Sequence, residues 1–357
     1  MKRLLIALSI IIYHFAFSPV RAQTQVGPYT PGVTPEGATF FLPKTTIRIS
    51  VMTEKKTYTP GEYAAYAQRF LRLNNVSTEP SVTHRILSVS QTAVGIADTT
   101  KVFSVKFSNK TAATNVALAE DGTLLAVNGQ PTPQPRLTLF KSAPKQPQPD
   151  PHQFMNEEIL AAGSLAKMAQ LTAQEIYDIR DNRNLLVKGQ ADFMPHDGTQ
   201  MKLMLDQLEV QDRALTSMFN GTTVCDTIEH VFYVCPDKDI EGQLLFRFSK
   251  HFGLVDADDL SGAPYTISIT DLNSVPKTSE TAKKKKTENG LYYNVPGRLR
   301  SIVSAGSTIA SEEEMPAAQF GNVELLSGDL FNKHFGTRLW LNPVTGGIDK
   351  LEAEQPK

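Results

Sequence analysis

The chain has 357 residues, 36 Lys and Arg side chains against 37 Asp and Glu, and a formal net charge of −1. That balance excludes a global bias toward nucleic acid, and the length is sufficient for two ordinary domains with real cores. With only two cysteines, Cys225 and Cys235, neither core relies on a disulfide framework.

Residues 1–22 read as a signal peptide. Lys2 and Arg3 form a basic start, Leu4 to Phe17 is mainly apolar, and Val20-Arg21-Ala22 is an A-x-A-like cleavage site. The apolar run is short for a bilayer span and ends at Ser18-Pro19, so no transmembrane segment is expected in the mature chain. No cysteine near the cut offers a lipid attachment point. The expected location is exported, periplasmic or associated with the cell surface, and not lipid-anchored.

Residues 23–40 are rich in Gly, Pro and Thr and read as an exposed leader. Residues 41–130 read as an N-terminal β-rich domain. Thr46 to Val51 alternates as a strand, Pro60-Gly61 makes a turn, and Glu62 to Leu71 forms a short amphipathic helix. Further strands are expected at Arg85 to Val89 and Val102 to Phe107, and a hairpin from Val116 to Val127 across Asp121-Gly122. Residues 131–151 form a stiff, exposed, proline-rich connector.

Residues 152–220 are the helical region. Met155, Ile159, Leu160, Leu165 and Met168 make one apolar stripe. In Leu171-Thr172-Ala173-Gln174-Glu175-Ile176, Thr172 and Glu175 fit a capping box and Leu171 and Ile176 a hydrophobic staple, with Gly189 as the stop. Pro195 to Gly198 breaks the helix. A second stripe then runs through Met201, Met204, Leu205, Leu208, Leu215, Met218 and Phe219, and packed interior is its expected use.

Residues 221–357 read as a C-terminal β-rich domain, with strands at Leu244–Phe248, Tyr265–Thr270, Leu291–Val295, Arg300–Val303, Gly321–Leu326 and Thr337–Leu341. No helix of ordinary length separates them, which favours antiparallel pairing. Ser311 to Ala317 reads as an acidic loop, and Thr345-Gly346-Gly347 as the turn of a terminal hairpin. The fold class is α+β, with predominantly antiparallel β segments flanking a central helical stretch. Cys225 and Cys235 either pair across a hairpin turning near Ile228 to His230 or lie on one strand from Thr222 to Val234, roughly 33 Å apart. The absence of Gly, Pro or Asn at the turn favours two buried thiols.

Chemical signatures are sparse. His84, His152, His196, His230, His251 and His334 show no helical ligand spacing. His251 with Asp256, Asp258 and Asp259 is the one metal-like grouping, but Leu260-Ser261-Gly262 after it favours a helix start or a turn. Lys283 to Lys286 reads as a solvated loop. Hydrolase, zincin, P-loop and Rossmann patterns are absent. Tyr292, Tyr293 and Trp340 suit either sugar stacking or a packed strand face. Catalytic residues therefore remain unassigned, and no cofactor or metal site is expected.

Five stretches carry a resemblance: Phe41-Leu42-Pro43-Lys44-Thr45, Pro60 to Ala67, Phe246-Arg247-Phe248-Ser249, Ala318-Gln319-Phe320-Gly321 and Asn342-Pro343-Val344-Thr345-Gly346. Together they resemble a domain family of unknown function in exported proteins of Bacteroides-type bacteria, across most of the mature chain. The resemblance implies export from a Gram-negative cell and supplies no catalytic residues. The leading expectation is an envelope protein with a binding or assembly role, its partner another envelope protein or a glycan. The alternative is a hydrolase acting on glycan or cell wall, which needs a deep groove with close carboxylates and exposed aromatics; a broad apolar patch away from any groove favours binding.

Overall fold

Apolar side chains alternate through Ala38, Phe40 and Leu42 and again through Ile47, Ile49 and Val51, and all six are buried in the computed structural model. The structure describes residues 31–34, 37–106, 115–132, 138–142, 144, 147–276, 290–331 and 336–354. Both apolar triads lie on β2 (Gly37–Thr59), a strand of 23 residues. It pairs antiparallel with β1 (Gly32–Thr34), with β3 (Ser81–Lys106) and, along its second half, with β6 (Thr222–Val234). β1 and the start of β2 fall inside the stretch expected to be an exposed leader. Ala38 and Phe40 explain the difference, because their alternation continues that of the strand proper.

β3 is one continuous strand of 26 residues rather than two short ones. A small sheet joins β4 (Val116–Leu118) and β5 (Leu124–Val127), paired across the expected Asp121-Gly122 turn, to the C-terminal β12 (Gly336–Leu341) and β13 (Ile348–Glu354). The third sheet has the order β11-β10-β9-β7-β8. Its strands are β7 (Ile240–Ser249), β8 (Gly253–Val255), β9 (Ala263–Asp271), β10 (Gly290–Ala305) and β11 (Thr308–Ser327). The fold is α+β, β-rich and built of antiparallel sheets.

The two β-rich stretches read from the sequence share both pairing and core. Strand β6 completes the first sheet, and Ile47, Ile49 and Val51 pack with Phe246, Ile267, Ile269, Leu299 and Val303 of the third. Phe40 and Leu42 pack with Leu124, Leu291, Leu339 and Leu341 in a second core. The expected loop at Ser311 to Ala317 is instead part of β11. Glu314 lies opposite Arg300 on β10 and pairs with it at 2.7 Å, so the acidic run is the charged face of a strand. β6 is a single strand, which removes the intrachain hairpin disulfide. Cys225 is exposed and Cys235 half-buried, so the expectation of two buried thiols fails at Cys225. Cys225 lies on β6 opposite the exposed Lys56, well away from either core.

A third core belongs to the helices. A 3-10 turn (Ala64–Tyr66) leads into α1 (Ala67–Leu71), and α2 (Glu157–Leu160) precedes the antiparallel pair α3 (Leu165–Lys188) and α4 (Gly198–Asn220). Helix α3 starts a full two turns before the Thr172 boundary read from the sequence. Ser164 is its cap, its hydroxyl accepting from the Lys167 N–H. Thr172 is buried mid-helix and donates its hydroxyl to the Met168 carbonyl at 2.8 Å, the habit of a threonine inside a helix. Gly189 ends α3 as expected at φ +68, with the Gly189 and Gln190 N–H groups returning to Leu186 and Leu185. The pair docks through Ile176, Leu215, Met218 and Phe219 onto Tyr63 and Leu71. Gly61 permits that approach: a Cβ there would lie 2.1 Å from the Met218 carbonyl oxygen.

Two substitutions separate these helix starts. Ser164→Ala is expected to cost about 1 kcal/mol in denaturant unfolding. Thr172→Val, which keeps the volume and removes only a hydroxyl bonded within the helix, is expected to cost clearly less. The reverse order would restore the boundary at Thr172.

Candidate functional site

Three of the five stretches carrying the resemblance meet at one polar seam. Pro43 to Thr46 stay paired with β3 on one side, while on the other side β6 reaches only as far as Ile47, so there the backbone at Thr45 turns to other neighbours. Gln319 takes the place of a strand partner: its Oε1 accepts from the Thr45 N–H at 2.9 Å and its Nε2 donates to the Thr45 carbonyl at 2.6 Å. Asn294, fully buried, donates to the carbonyls of Pro43 and Thr345 at 2.9 and 2.7 Å. The Thr45 hydroxyl donates to Val344 and accepts from the Ala318 N–H. A fourth stretch, Pro60 to Ala67, is the dock of the helical pair. These motifs are joints, and their chemistry is hydrogen bonding between segments.

A second polar centre ties down the connector. Arg48 and Glu229 form a salt bridge at 2.7 Å, with side chains 10% and 8% exposed. The same carboxylate accepts from the Ser50 hydroxyl and, at 2.7 Å, from the backbone N–H of Phe140. Those bonds, the Phe140 N–H foremost, hold the Glu229 carboxyl down to about 2 against their opponent, desolvation. The described connector residues 138–142, 144 and 147–150 are exposed, and Phe140 anchors them to β6.

One open cleft, about 600 Å³, is lined by Asp237, Lys238, Asp239, Asp271, Asn273 and Asn322 among others. Two of its carboxylates serve the backbone: Asp239 accepts from the Asp271 N–H and Asp271 from the Asn273 N–H, each at 2.8 Å. Its one aromatic, Phe320, is buried. Every described carboxyl with a displaced proton affinity is displaced downward: Glu54, Asp98, Asp150, Glu229, Asp259, Glu314 and Glu352, each favoured as the carboxylate by hydrogen bonds or a nearby cation. Tyr292 stacks on Phe103 at 4.4 Å, Tyr293 donates to Glu324, and Trp340 donates to the Gln130 carbonyl. None of the three lines this cleft.

The second cleft, about 360 Å³, gathers Cys225 with Lys56, Arg85 and Lys250. The metal-like grouping comes apart: Asp259 accepts from Ser261 in a turn, and no three His, Cys, Asp or Glu side chains converge among the described residues. The other histidines take local roles. His230 meets the Thr53 hydroxyl, His152 meets Asp150, and the His196 N–H donates to Gln200. Lys283 to Lys286, His334 and residues 1–22 lie outside the described residues.

The sequence missed the free end of the helical pair. On α4 only Ala214, Leu215, Met218 and Phe219 are fully buried; Leu208 is half-buried against the helical core, and Met201, Met204 and Leu205 are half-buried without joining it. At that end Val187, Phe193 and Leu203 are 67%, 65% and 61% exposed, with Leu185 and Met194 also exposed beside them in the chain. Amphipathic periodicity marks an apolar stripe without saying how far along it a neighbour extends.

Long antiparallel hairpins locked by a polar seam and bearing a docked helical pair define the class: an α+β, β-rich protein. The chain belongs to the family described as a domain of unknown function (DUF4831), which matches residues 36–349. No curated protein and no solved structure matches the chain. Among the described residues no helix is long and apolar enough to cross a membrane.

The Glu229 centre sets a pH dependence. A carboxyl lowered from 4.5 to about 2 adds stability that is fully present above pH 4.5 and is lost as pH falls through about 2. Glu229→Gln is expected to lower the melting temperature at neutral pH and to flatten the acid limb of the stability profile. Glu229→Ala, which strands Arg48, is expected to cost about 3 kcal/mol by thermal or denaturant unfolding.

Proposed function

We propose that this is an exported envelope protein that binds or helps assemble another macromolecule, and that the free end of the α3–α4 pair is its docking surface. The observation that carries this reading is the exposed group Val187, Phe193 and Leu203, flanked by Leu185 and Met194, outside both clefts. Fully burying one such side chain is worth about 1.5–3 kcal/mol, so a partner covering three gains useful affinity from this end alone. The antiparallel helices hold the group on a rigid support, with Arg180 fixed to Asp212 at 2.8 Å and to the Thr216 hydroxyl. The basic start, apolar run and Val20-Arg21-Ala22 site support export.

The test is affinity capture from native envelope extract with the mature chain and with Val187→Ser/Phe193→Ser/Leu203→Ser, scored by quantitative mass spectrometry. All three positions are solvent-facing, so the melting temperature is expected to stay within a few degrees. A saturable partner retained by the parent and weakened about tenfold or more by the triple variant is the expected result. Equal retention by both proteins would overturn the assignment of the surface. Retention of glycan alone, unaffected by the variant, would move the function to the polar cleft.

A further inference from the structure

A strand at the end of a sheet leaves alternate N–H and C=O groups without a ladder partner, and folds guard such edges by shortness, charge, proline or cover. Most end strands of this fold are guarded in these ways. β1, β4 and β8 are three residues each. β13 carries Asp349, Lys350, Glu352 and Glu354, and β11 carries Glu312 to Glu314. β3 gives its His84 N–H to the Lys250 carbonyl at 2.7 Å and lies against β11. β6 is the exception. It runs for 13 residues, pairs with β2 in unbroken register, and contains no Gly, Pro, Lys or Arg. Among the described residues no strand pairs with its other edge. None of its residues is fully buried, Ile228 and Tyr233 are exposed, and Ile228 joins none of the three cores. Threonine, valine and aromatic residues dominate it, the side chains that favour a strand.

We propose that β6 is a self-pairing edge on which a second copy of this chain docks, joining the β2-bearing sheets of the two copies into one continuous sheet. Two identical antiparallel strands pair about a twofold axis, and the full-length register of Thr222–Val234 is centred on its middle residue, Ile228. In that register the exposed Ile228 meets Ile228 of the second copy. Val224 meets Phe232, Cys225 meets Val231, Thr223 meets Tyr233 and Asp226 meets His230, each pair occurring twice. Neither acid faces an acid, because Glu229 meets Thr227. The strand is therefore complementary to itself in charge and in apolar character, as a twofold interface requires. Cys225 and its copy stand six positions apart along the strand, about 20 Å, so the pairing is non-covalent. The edge follows the C-terminal end of α4, opposite the end that bears Val187, Phe193 and Leu203, and so is a different surface from the helical one.

The test is sedimentation velocity on the mature chain over a range of concentrations, with variants at the axis. The parent is expected to form a dimer. Ile228→Lys and Ile228→Glu each set two like charges against each other, and each is expected to raise Kd about tenfold or more. An equimolar mixture of the two is expected to restore a mixed dimer, which variants that had merely failed to fold could not do. In a Cys225→Ser/Cys235→Ser background, Ile228→Cys is expected to give a disulfide-linked dimer on mild oxidation. Thr223→Cys, far out of register with its own copy, is expected to give none. Val187→Ser/Phe193→Ser/Leu203→Ser is expected to leave the dimer intact. A parent monomeric at every concentration would overturn the proposal and leave the edge to an extended segment of another protein. So would a dimer indifferent to both charges at position 228, a dimer dissolved by the helical triple variant, or linkage through Thr223→Cys in preference to Ile228→Cys.

Discussion

The fold depends on what happens to the backbone of β2 just beyond the end of β6, whose pairing with it stops at Ile47. A buried N–H or carbonyl left without a partner costs about 1–3 kcal/mol, and Thr45 is fully buried. The side-chain amide of Gln319 supplies the donor and acceptor that a neighbouring strand would have given. Asn294 does the same for the carbonyls of Pro43 and Thr345. One short segment of β2 is thereby bonded to β10, β11 and the turn before β13. All three sheets are fixed by bonds no longer than an ordinary ladder bond.

Strand β2 is also where the apolar cores divide. Its first half contributes Phe40 and Leu42 to the core shared with β5, β10 and β12. Its second half contributes Ile47, Ile49 and Val51 to the core shared with the third sheet. The seam lies between these two sets, so a shift of register there would disturb both cores together. Three of the five stretches behind the family resemblance meet in this geometry.

The sequence showed local features well where the physics was local. Alternation from Thr46 to Val51, the Asp121-Gly122 turn and the Gly189 stop all depend on residues within a few positions of each other. It failed where partners are remote. Glu312 to Glu314 resemble a loop until Arg300 is placed opposite them, and β6 is read into a separate domain until its pairing with β2 is seen. Thr172 and Glu175 satisfy a capping pattern that the preceding turns, capped by Ser164, make unnecessary. The candidate surfaces were the least legible. Exposure at Phe193 and Leu203 is a property of where the neighbouring structure stops, and the edge position of β6 is a property of which strand lies beside it. The polar centres separate two tasks: the seam holds the sheets, and the polar face of β2 and β6 anchors the connector.

The most direct test of the shared architecture is native-state hydrogen exchange at the seam. If β2 is the common element, the amides of Thr45, Asn294 and Ala318 exchange through one global opening. Their protection then falls in parallel with added denaturant, with the same slope as the core of the third sheet. Continued protection of β9, β10 and β11 after the Thr45 amide has exchanged would contradict this account, and would show two β-rich units that open independently.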